Sequence, residues 1–373
     1  MSPVGVMHLV DSLDVGGTER MAVNFVNSLP RERYVPYLCT TRRDGPLEES
    51  VGADVVRLRL ERKHRFDVVA VRRLVEFNRE HGVRLLHAHS SSLFVAVAAS
   101  GFAPHPAVVW HDHYGRYAVE QRNAFLFRQL VRNASGVIAV SEPLAEWARN
   151  RLHVPTERVW YIPNFVVPAP DSQPPILPGV RGARIVCVAN LRPQKDHCTL
   201  LRAMALVVQR QPAAHLLLVG AANDAACLDF VKKEISQLEL GANVSLLGER
   251  HDVAAILRVC DVGVLSSASE GLPLALIEYG MAGLPAVATE VGQCPEVLDQ
   301  GRAGMLVAPG AARLLAEALL SLLESPDRRA ALGLQLRTRV QGFYSSGTII
   351  ERACRVYETV LRQDRPRGIQ LIC

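Results

Sequence analysis

Two glutamates eight residues apart, Glu270 and Glu278, bracket the stretch Ser269-Glu270-Gly271-Leu272-Pro273-Leu274-Ala275-Leu276-Ile277-Glu278. Residues 261–266 before it form a short apolar run ending in small polar side chains, the pattern of a buried strand. Residues 275–282 after it read as a helix that Gly283 and Pro285 stop. Strand, glycine turn and helix in that order aim free backbone N–H groups and the positive end of a helix dipole at one spot. Such a spot suits an anion, above all a phosphate. The two carboxylates beside it are poor phosphate ligands but good acceptors for sugar hydroxyls. An anion cradle edged by hydroxyl acceptors describes a nucleotide-sugar site, although an ordinary βα turn with two surface glutamates has the same pattern.

Three further stretches carry suitable groups. Asn190-Leu191-Arg192-Pro193-Gln194-Lys195-Asp196 follows the first predicted strand of the second half. Its two cations could neutralise a diphosphate, Arg192 in a bidentate manner and Lys195 as a point charge. A solvated loop with two surface cations is the alternative, but only four of the 42 Lys/Arg residues are lysines, so Lys195 stands out. Gly16-Gly17, after the first predicted strand, lets backbone approach a ligand closely, though it is not G-x-G-x-x-G. His87 and His89 end one predicted strand, and His111 and His113 end another. Residues two apart on a strand share a face, so either pair could hold a metal. No Cys or third ligand stands at zinc-like spacing, so no metal is expected. His111, closing the apolar run Val108-Val109-Trp110, is the histidine expected to face a ligand, donating to a sugar hydroxyl or phosphate oxygen.

The elements that must position these groups alternate. In the first half, strands are predicted near residues 4–10, 35–39, 55–58, 83–89, 107–111, 136–140 and 159–162. Helices between them include one capped by Thr18, one over 67–81, one over 117–132 and one capped by Ser141 with Pro143 just inside. Residues 167–182 hold five prolines and no periodicity, which marks a linker. The alternation then restarts at residue 185 and ends in three helical stretches over 311–324, 327–341 and 348–362. At 373 residues the chain fits two domains. The pattern predicts two Rossmann-like, doubly wound parallel-sheet α/β domains facing across a cleft, with ligands at the carboxyl ends of the strands.

Composition narrows the partners. The net charge is +5, with 21 Lys/Arg and 17 Asp/Glu in residues 1–165 against 21 and 20 in residues 166–373. That excess suits a phosphorylated lipid or anionic membrane surface, and is too dispersed for nucleic acid. The first ten residues read as a strand and not a signal peptide, and no apolar run is long enough to span a membrane. The eight cysteines include no C-x-x-C pair and are read as reduced core residues of a cytoplasmic protein.

Several of these pieces resemble the retaining glycosyltransferases of family 4, which have the GT-B fold, over nearly the whole chain. They are residues 13–20, Leu-Asp-Val-Gly-Gly-Thr-Glu-Arg; Tyr161-Ile162-Pro163-Asn164; Asn190 to Lys195; Leu247-Gly248-Glu249-Arg250; Ser269 to Glu278, with the family's E-x7-E spacing; and residues 304–310, Gly-Met-Leu-Val-Ala-Pro-Gly. The resemblance implies that Glu278 binds the donor ribose and Glu270 the transferred sugar. The backbone at Gly271 and Leu272 would hold phosphate or sugar, while Arg192 and Lys195 offset charge on the leaving diphosphate. Gly16 and Gly17 would close the donor pocket, His111 would contact the sugar, and Gly248, Glu249 and Arg250 would face the base. It also implies retention without a placed protein nucleophile, and no metal or other cofactor. The domains would be 1–166 on the acceptor side, the linker 167–182, a nucleotide-sugar-binding domain 183–345, and a helix and tail, 346–373, crossing back. Two departures stand out: Phe165 where the family has Gly after Pro-Asn, and Gly292-Gln293-Cys294-Pro295-Glu296 where it often has Gly-Gly before Pro-Glu.

The implied substrates are a UDP- or GDP-sugar donor and a saccharide or lipid-linked acceptor, in cell-surface polysaccharide or glycolipid synthesis. Residues 116–132 mix four arginines with apolar and aromatic residues at helical spacing. They suit transient contact with an anionic membrane on its cytoplasmic side, or simply a helix packing on the sheet. A nucleotide-sugar epimerase of the same build and a non-catalytic nucleotide-sugar-binding protein are the rival readings. A dehydrogenase is excluded by the lack of G-x-G-x-x-G after a strand.

Overall fold

The computed structural model describes residues 2–14, 16–64, 67–114, 123–167, 173–222 and 224–363. The chain divides into two compact units, residues 1–164 with 346–373, and residues 165–345.

The first unit contains strands β1 (Val4–Val10), β2 (Tyr34–Thr40), β3 (Val56–Arg59), β4 (Val83–His89), β5 (Ala107–Asp112), β6 (Gly136–Ala139) and β7 (Val159–Tyr161). Helices α1 (Gly17–Ser28), α2 (Val68–Glu80), α3 (Leu93–Ser100), α4 (Ala124–Val131) and α5 (Glu142–Asn150) connect them. The strands pair in parallel in the order β3-β2-β1-β4-β5-β6-β7. β5 and β6 are buried along their whole length, as expected of a parallel sheet covered on both faces.

The second unit holds β8 (Arg184–Val188), β9 (His215–Val219), β10 (Val244–Gly248), β11 (Val262–Leu265), β12 (Ala286–Thr289) and β13 (Met305–Val307), parallel in the order β10-β9-β8-β11-β12-β13. Its helices are α6 (His197–Arg210), α7 (Ala225–Gln237), α8 (Val253–Arg258), α9 (Leu274–Ala282), α10 (Cys294–Val297), α11 (Ala312–Leu323) and α12 (Pro326–Phe343). Tyr279 of α9 is fully buried against Gly263 of β11, where a Cβ would come within 2.5 Å of its ring. Its hydroxyl accepts from Val188 N at 2.9 Å and donates toward Val264 O at 3.2 Å, so it ties α9 to β8 and β11. The described part of the proline-rich stretch is anchored to this unit: the Arg184 guanidinium donates to Leu177 O, Pro178 O and Gly179 O at 2.8–3.0 Å.

The last helix, α13 (Ser346–Gln363), belongs to the first unit. Ile349, Ile350, Ala353, Cys354, Val356, Tyr357 and Val360 form its buried stripe, and Arg33 pairs with Glu351 and Glu358 at 2.9 and 2.5 Å.

Two helix starts differ from the sequence reading. α1 begins at Gly17 with Gly16 as N-cap, so Thr18 lies inside the first turn and does not cap it. Ser141 does occupy the N-cap of α5, but its hydroxyl makes no capping bond. The reading holds at α2, where Asp67 accepts from Ala70 N at 3.1 Å. Of the helix expected over 117–132, residues 117–122 lie outside the described residues; in α4, Phe127 stacks on Trp110 with ring centroids 5.3 Å apart, which favours packing on the sheet. Phe125 remains 69% exposed. Among the described residues no helix is long and apolar enough to cross a membrane.

Candidate functional site

Three loops at the carboxyl ends of neighbouring strands converge in the second unit. After β8, residues Pro193–Lys195 make one 3-10 turn, and Asp196 closes it in the left-handed region at φ 44°. Asp tolerates that conformation, and here its carboxylate also caps α6 through Thr199 N at 3.1 Å. After β11, Ser266 donates to Lys195 O at 3.0 Å and Ala268 N to Gln194 O at 2.8 Å, so the two loops are stitched together. After β12, Gly292 adopts φ 52°, and a Cβ there would lie 2.1 Å from the Glu270 carbonyl oxygen. Only glycine fits that approach. Gln293 N then donates to Gly271 O at 3.0 Å.

This scaffold brings Lys195 and Glu270 into direct contact. Lys195 Nζ and Ser267 Oγ both donate to Glu270 Oε1 at 2.5 Å. The side chains are 22% and 8% exposed, so the pair is drier than a surface salt bridge yet reachable. The sequence reading treated them as separate groups; the fold makes them a unit, with Ser267 the member the sequence reading missed. A small hydroxyl at a strand end gives little signal by itself. Arg192 is exposed at the start of the turn, and Gly271, Leu272 and Glu278 are half-buried in the turn and helix that follow Glu270. Gly248, Glu249 and Arg250 stand apart at the end of edge strand β10, which β9 separates from β8. Arg250 pairs there with Asp252 at 2.7 Å.

The first unit gathers histidines. β1, β4 and β5 are adjacent, and their register sets His8 beside His87 and His89 beside His111. His87 and His89 do share a face, with parallel rings 4.5 Å apart. His113, one residue beyond β5, reaches back to His89, and His8 adds a member that the sequence reading missed. Its only signal was a polar residue within an apolar strand. Phe25 of α1 and Tyr357 of α13 cover the rings. That burial lowers every imidazole: His8 and His113 to about 3, and His87, His89 and His111 well below 6.5. All five rings are therefore neutral at pH 7. Nitrogens of His8, His87 and His89, and of His89, His111 and His113, lie within 4.8 Å of one another, a spacing open to a metal ion. His111 is buried, with Nδ1 2.9 Å from His87 Nε2 and with Nε2 lacking any hydrogen-bond partner. Gly16 and Gly17 open α1, where burial raises the Glu19 carboxyl.

These two sheets, each with its loops at the carboxyl ends, are the GT-B fold. Residues 15–169 match the model of Glycosyltransferase Family 4, and residues 182–325 match that of Glycosyl transferases group 1. The chain belongs to the family 4 glycosyltransferases. It is 29% identical over 181 residues, 48% of this chain, to the N-acetyl-alpha-D-glucosaminyl L-malate synthase of Bacillus anthracis. It is also 29% identical over 184 residues, 47% of this chain, to the GDP-mannose-dependent monoacylated alpha-(1-6)-phosphatidylinositol monomannoside mannosyltransferase of Corynebacterium glutamicum. These matches span 46% and 47% of the two relatives, about half of their length. Among solved structures, Anabaena HepE in complex with UDP and glucose superposes with TM-score 0.77 at 21% identity, over 95% of this chain and all of that one.

Proposed function

We propose that this chain is a retaining glycosyltransferase that moves a sugar from a UDP- or GDP-sugar to a saccharide or lipid-linked acceptor without a bound metal. The observation that carries the reading is the half-dry Lys195–Glu270–Ser267 group at the strand ends, beside the glycine turn that opens α9. The donor class is supported by the relatives, one named as GDP-mannose-dependent and another bound to UDP.

In this reading Lys195 and Arg192 lie along the diphosphate and stabilise the negative charge that grows on it as the glycosidic bond breaks, the task a metal ion would otherwise perform. Glu270 exchanges part of its grip on Lys195 for a sugar hydroxyl, and Ser267 keeps the carboxylate in place. Gly271 and Leu272 offer backbone N–H groups, Glu278 accepts from the ribose, and Gly248, Glu249 and Arg250 line the base. Gly16 and Gly17 permit close approach of backbone to the donor, and His111 Nε2 meets a sugar oxygen. Phe125 and Arg128 on α4 would contact the cytoplasmic face of an anionic membrane that carries the acceptor, in cell-surface polysaccharide or glycolipid synthesis.

The test is a panel of UDP- and GDP-sugars, followed by nucleotide release and product analysis with and without lipid-linked acceptors. Acceptor-dependent release with the anomeric configuration kept is expected. Conversion of the donor to an epimer without any acceptor, or binding without turnover across the panel, would favour the rival readings.

A further inference from the structure

The four buried histidines, the half-buried His113 and Tyr357 do more than fill space. His113 Nε2 lies 2.9 Å from His89 Nδ1, and His89 Nε2 lies 3.1 Å from His8 Nδ1. His8 Nε2 lies 3.4 Å from the Tyr357 hydroxyl, which lies 2.5 Å from His87 Nδ1. His87 Nε2 in turn lies 2.9 Å from His111 Nδ1. Each of the three inner rings uses both nitrogens, one for each neighbour. The unpartnered ring nitrogens are His111 Nε2 and His113 Nδ1, the two ends of the series.

A neutral imidazole has one N–H and one lone pair, and a hydroxyl donates once. With the Tyr357 hydroxyl both donating and accepting, five hydrogen bonds joining six such groups in a row can be satisfied in only two ways, with every bond pointing the same direction. Either each ring carries its proton on Nε2 and His111 ends the row with an N–H, or each carries it on Nδ1 and His111 ends with a lone pair. A mixture that converges on Tyr357 leaves its hydroxyl hydrogen without an acceptor, and any other leaves two lone pairs or two hydrogens facing each other, in each case at roughly the cost of an unsatisfied buried group.

We infer that these six side chains form one proton wire across the first unit, whose direction decides whether His111 donates or accepts at its Nε2 atom. Lowered histidine basicity is consistent with it, since an imidazolium anywhere would break the one-way order. Starting from the lone-pair direction, His111 Nε2 takes a proton from a bound hydroxyl, and its Nδ1 proton passes to His87 Nε2. The His87 Nδ1 proton moves to Tyr357 and the Tyr357 proton to His8 Nε2. The His8 Nδ1 proton moves to His89 Nε2, and the His89 Nδ1 proton to His113 Nε2. His113 then gives up its Nδ1 proton to a water that must enter beside that atom, which is closed to solvent in this structure. One proton enters, one leaves, and no ring is charged before or after. Burial dominates at His113, and the Asn164 side chain opposes it in part by favouring the protonated ring. His8, His87, His89 and Tyr357 are positioning residues in this scheme. The wire itself does not depend on the transferase reading; only its use by a substrate hydroxyl does.

Nitrogen-15 spectra of the full chain, with its histidine rings assigned, test the wire independently of activity. At pH 7 the five rings are expected to be neutral and protonated at the same nitrogen, or in the same proportion if the direction exchanges. Tyr357→Phe removes the joint, so the populations of His87 and His111 should no longer follow those of His8, His89 and His113. In turnover with the best donor of the panel, the same substitution should lower kcat by about 10²-fold, the lower end of the range for lost acid–base help, and leave donor KM unchanged. A ring with the opposite tautomer, an imidazolium at pH 7, or zinc added in equimolar amount displacing protons from the cluster would overturn the inference. The wild-type spectrum decides on its own even if Tyr357→Phe fails to fold.

Discussion

The two sheets hold their clustered polar groups in opposite electrical states. In the second unit, Lys195 and Glu270 form a charged pair, held by Ser267 and left partly open to solvent. In the first, His8, His87, His89 and His111 are packed around Phe25 and Tyr357 with His113 at their edge, and burial keeps all five uncharged. The difference follows from the covering elements. β8 and β11 end in loops joined through hydroxyl and backbone bonds, which can stabilise charge. β1, β4 and β5 end beneath two helices that exclude water. A charged pair suits a ligand that brings charge of its own, and a neutral set suits hydroxyl groups whose protons must move.

Acid should break the contrast most severely. An unfolded histidine binds a proton near pH 6.5, whereas His8 and His113 in the fold do so only at about 3. Between those values the unfolded chain holds more protons, so stability falls as pH falls, and above 6.5 neither state titrates and the effect vanishes. Each such ring costs roughly 1.4 kcal/mol per pH unit, and several together would exhaust the ~5–15 kcal/mol of a typical domain within a few units. Urea unfolding followed from pH 8 down to about 4.5 should show a midpoint that holds and then drops steeply below about 6. A midpoint flat across that range would mean the rings are not buried as neutral groups.

Next in size are the charged partners. Glu270→Ala and Lys195→Ala should each lower kcat by roughly 10²–10³, the scale for removing one preorganised electrostatic contact. The double variant should be little worse than either, because the pair acts as a unit. Far-UV circular dichroism should remain that of a folded chain. Independent, multiplying losses would show that the two act separately.

Tyr279→Phe separates support from chemistry. It leaves Val188 N without its acceptor and should cost about 1–3 kcal/mol in urea unfolding, while turnover stays near parental. A large loss of kcat with no loss of stability would assign Tyr279 to the reaction. Smallest is Arg250→Ala: its pair with Asp252 is exposed, so stability should not change and only donor KM should rise.

Much of this was legible in the chain. The strand–helix alternation follows from period and punctuation, and Gly283 ends α9 in the left-handed region, as a glycine before Pro285 suggests. Glu270 and Lys195 stood out because charged residues just after buried strands have few structural uses. Their contact did not, since it depends on β8 and β11 being neighbours although residues 75 apart make it. The histidine series was half visible. Spacing by two placed His87 with His89 and His111 with His113, but His8 and Tyr357 come from β1 and α13, at opposite ends of the sequence. Thr18 misled because an N-cap preference says nothing of where the preceding glycines let the helix begin.

The most direct test is a crystal of the full chain soaked with the nucleotide sugar that the panel selects. The diphosphate is expected against Lys195 and Arg192, Glu278 on the ribose hydroxyls, and Glu270 turned in part from Lys195 to the sugar. Density for the ligand elsewhere, with the Lys195–Glu270 pair undisturbed, would contradict it.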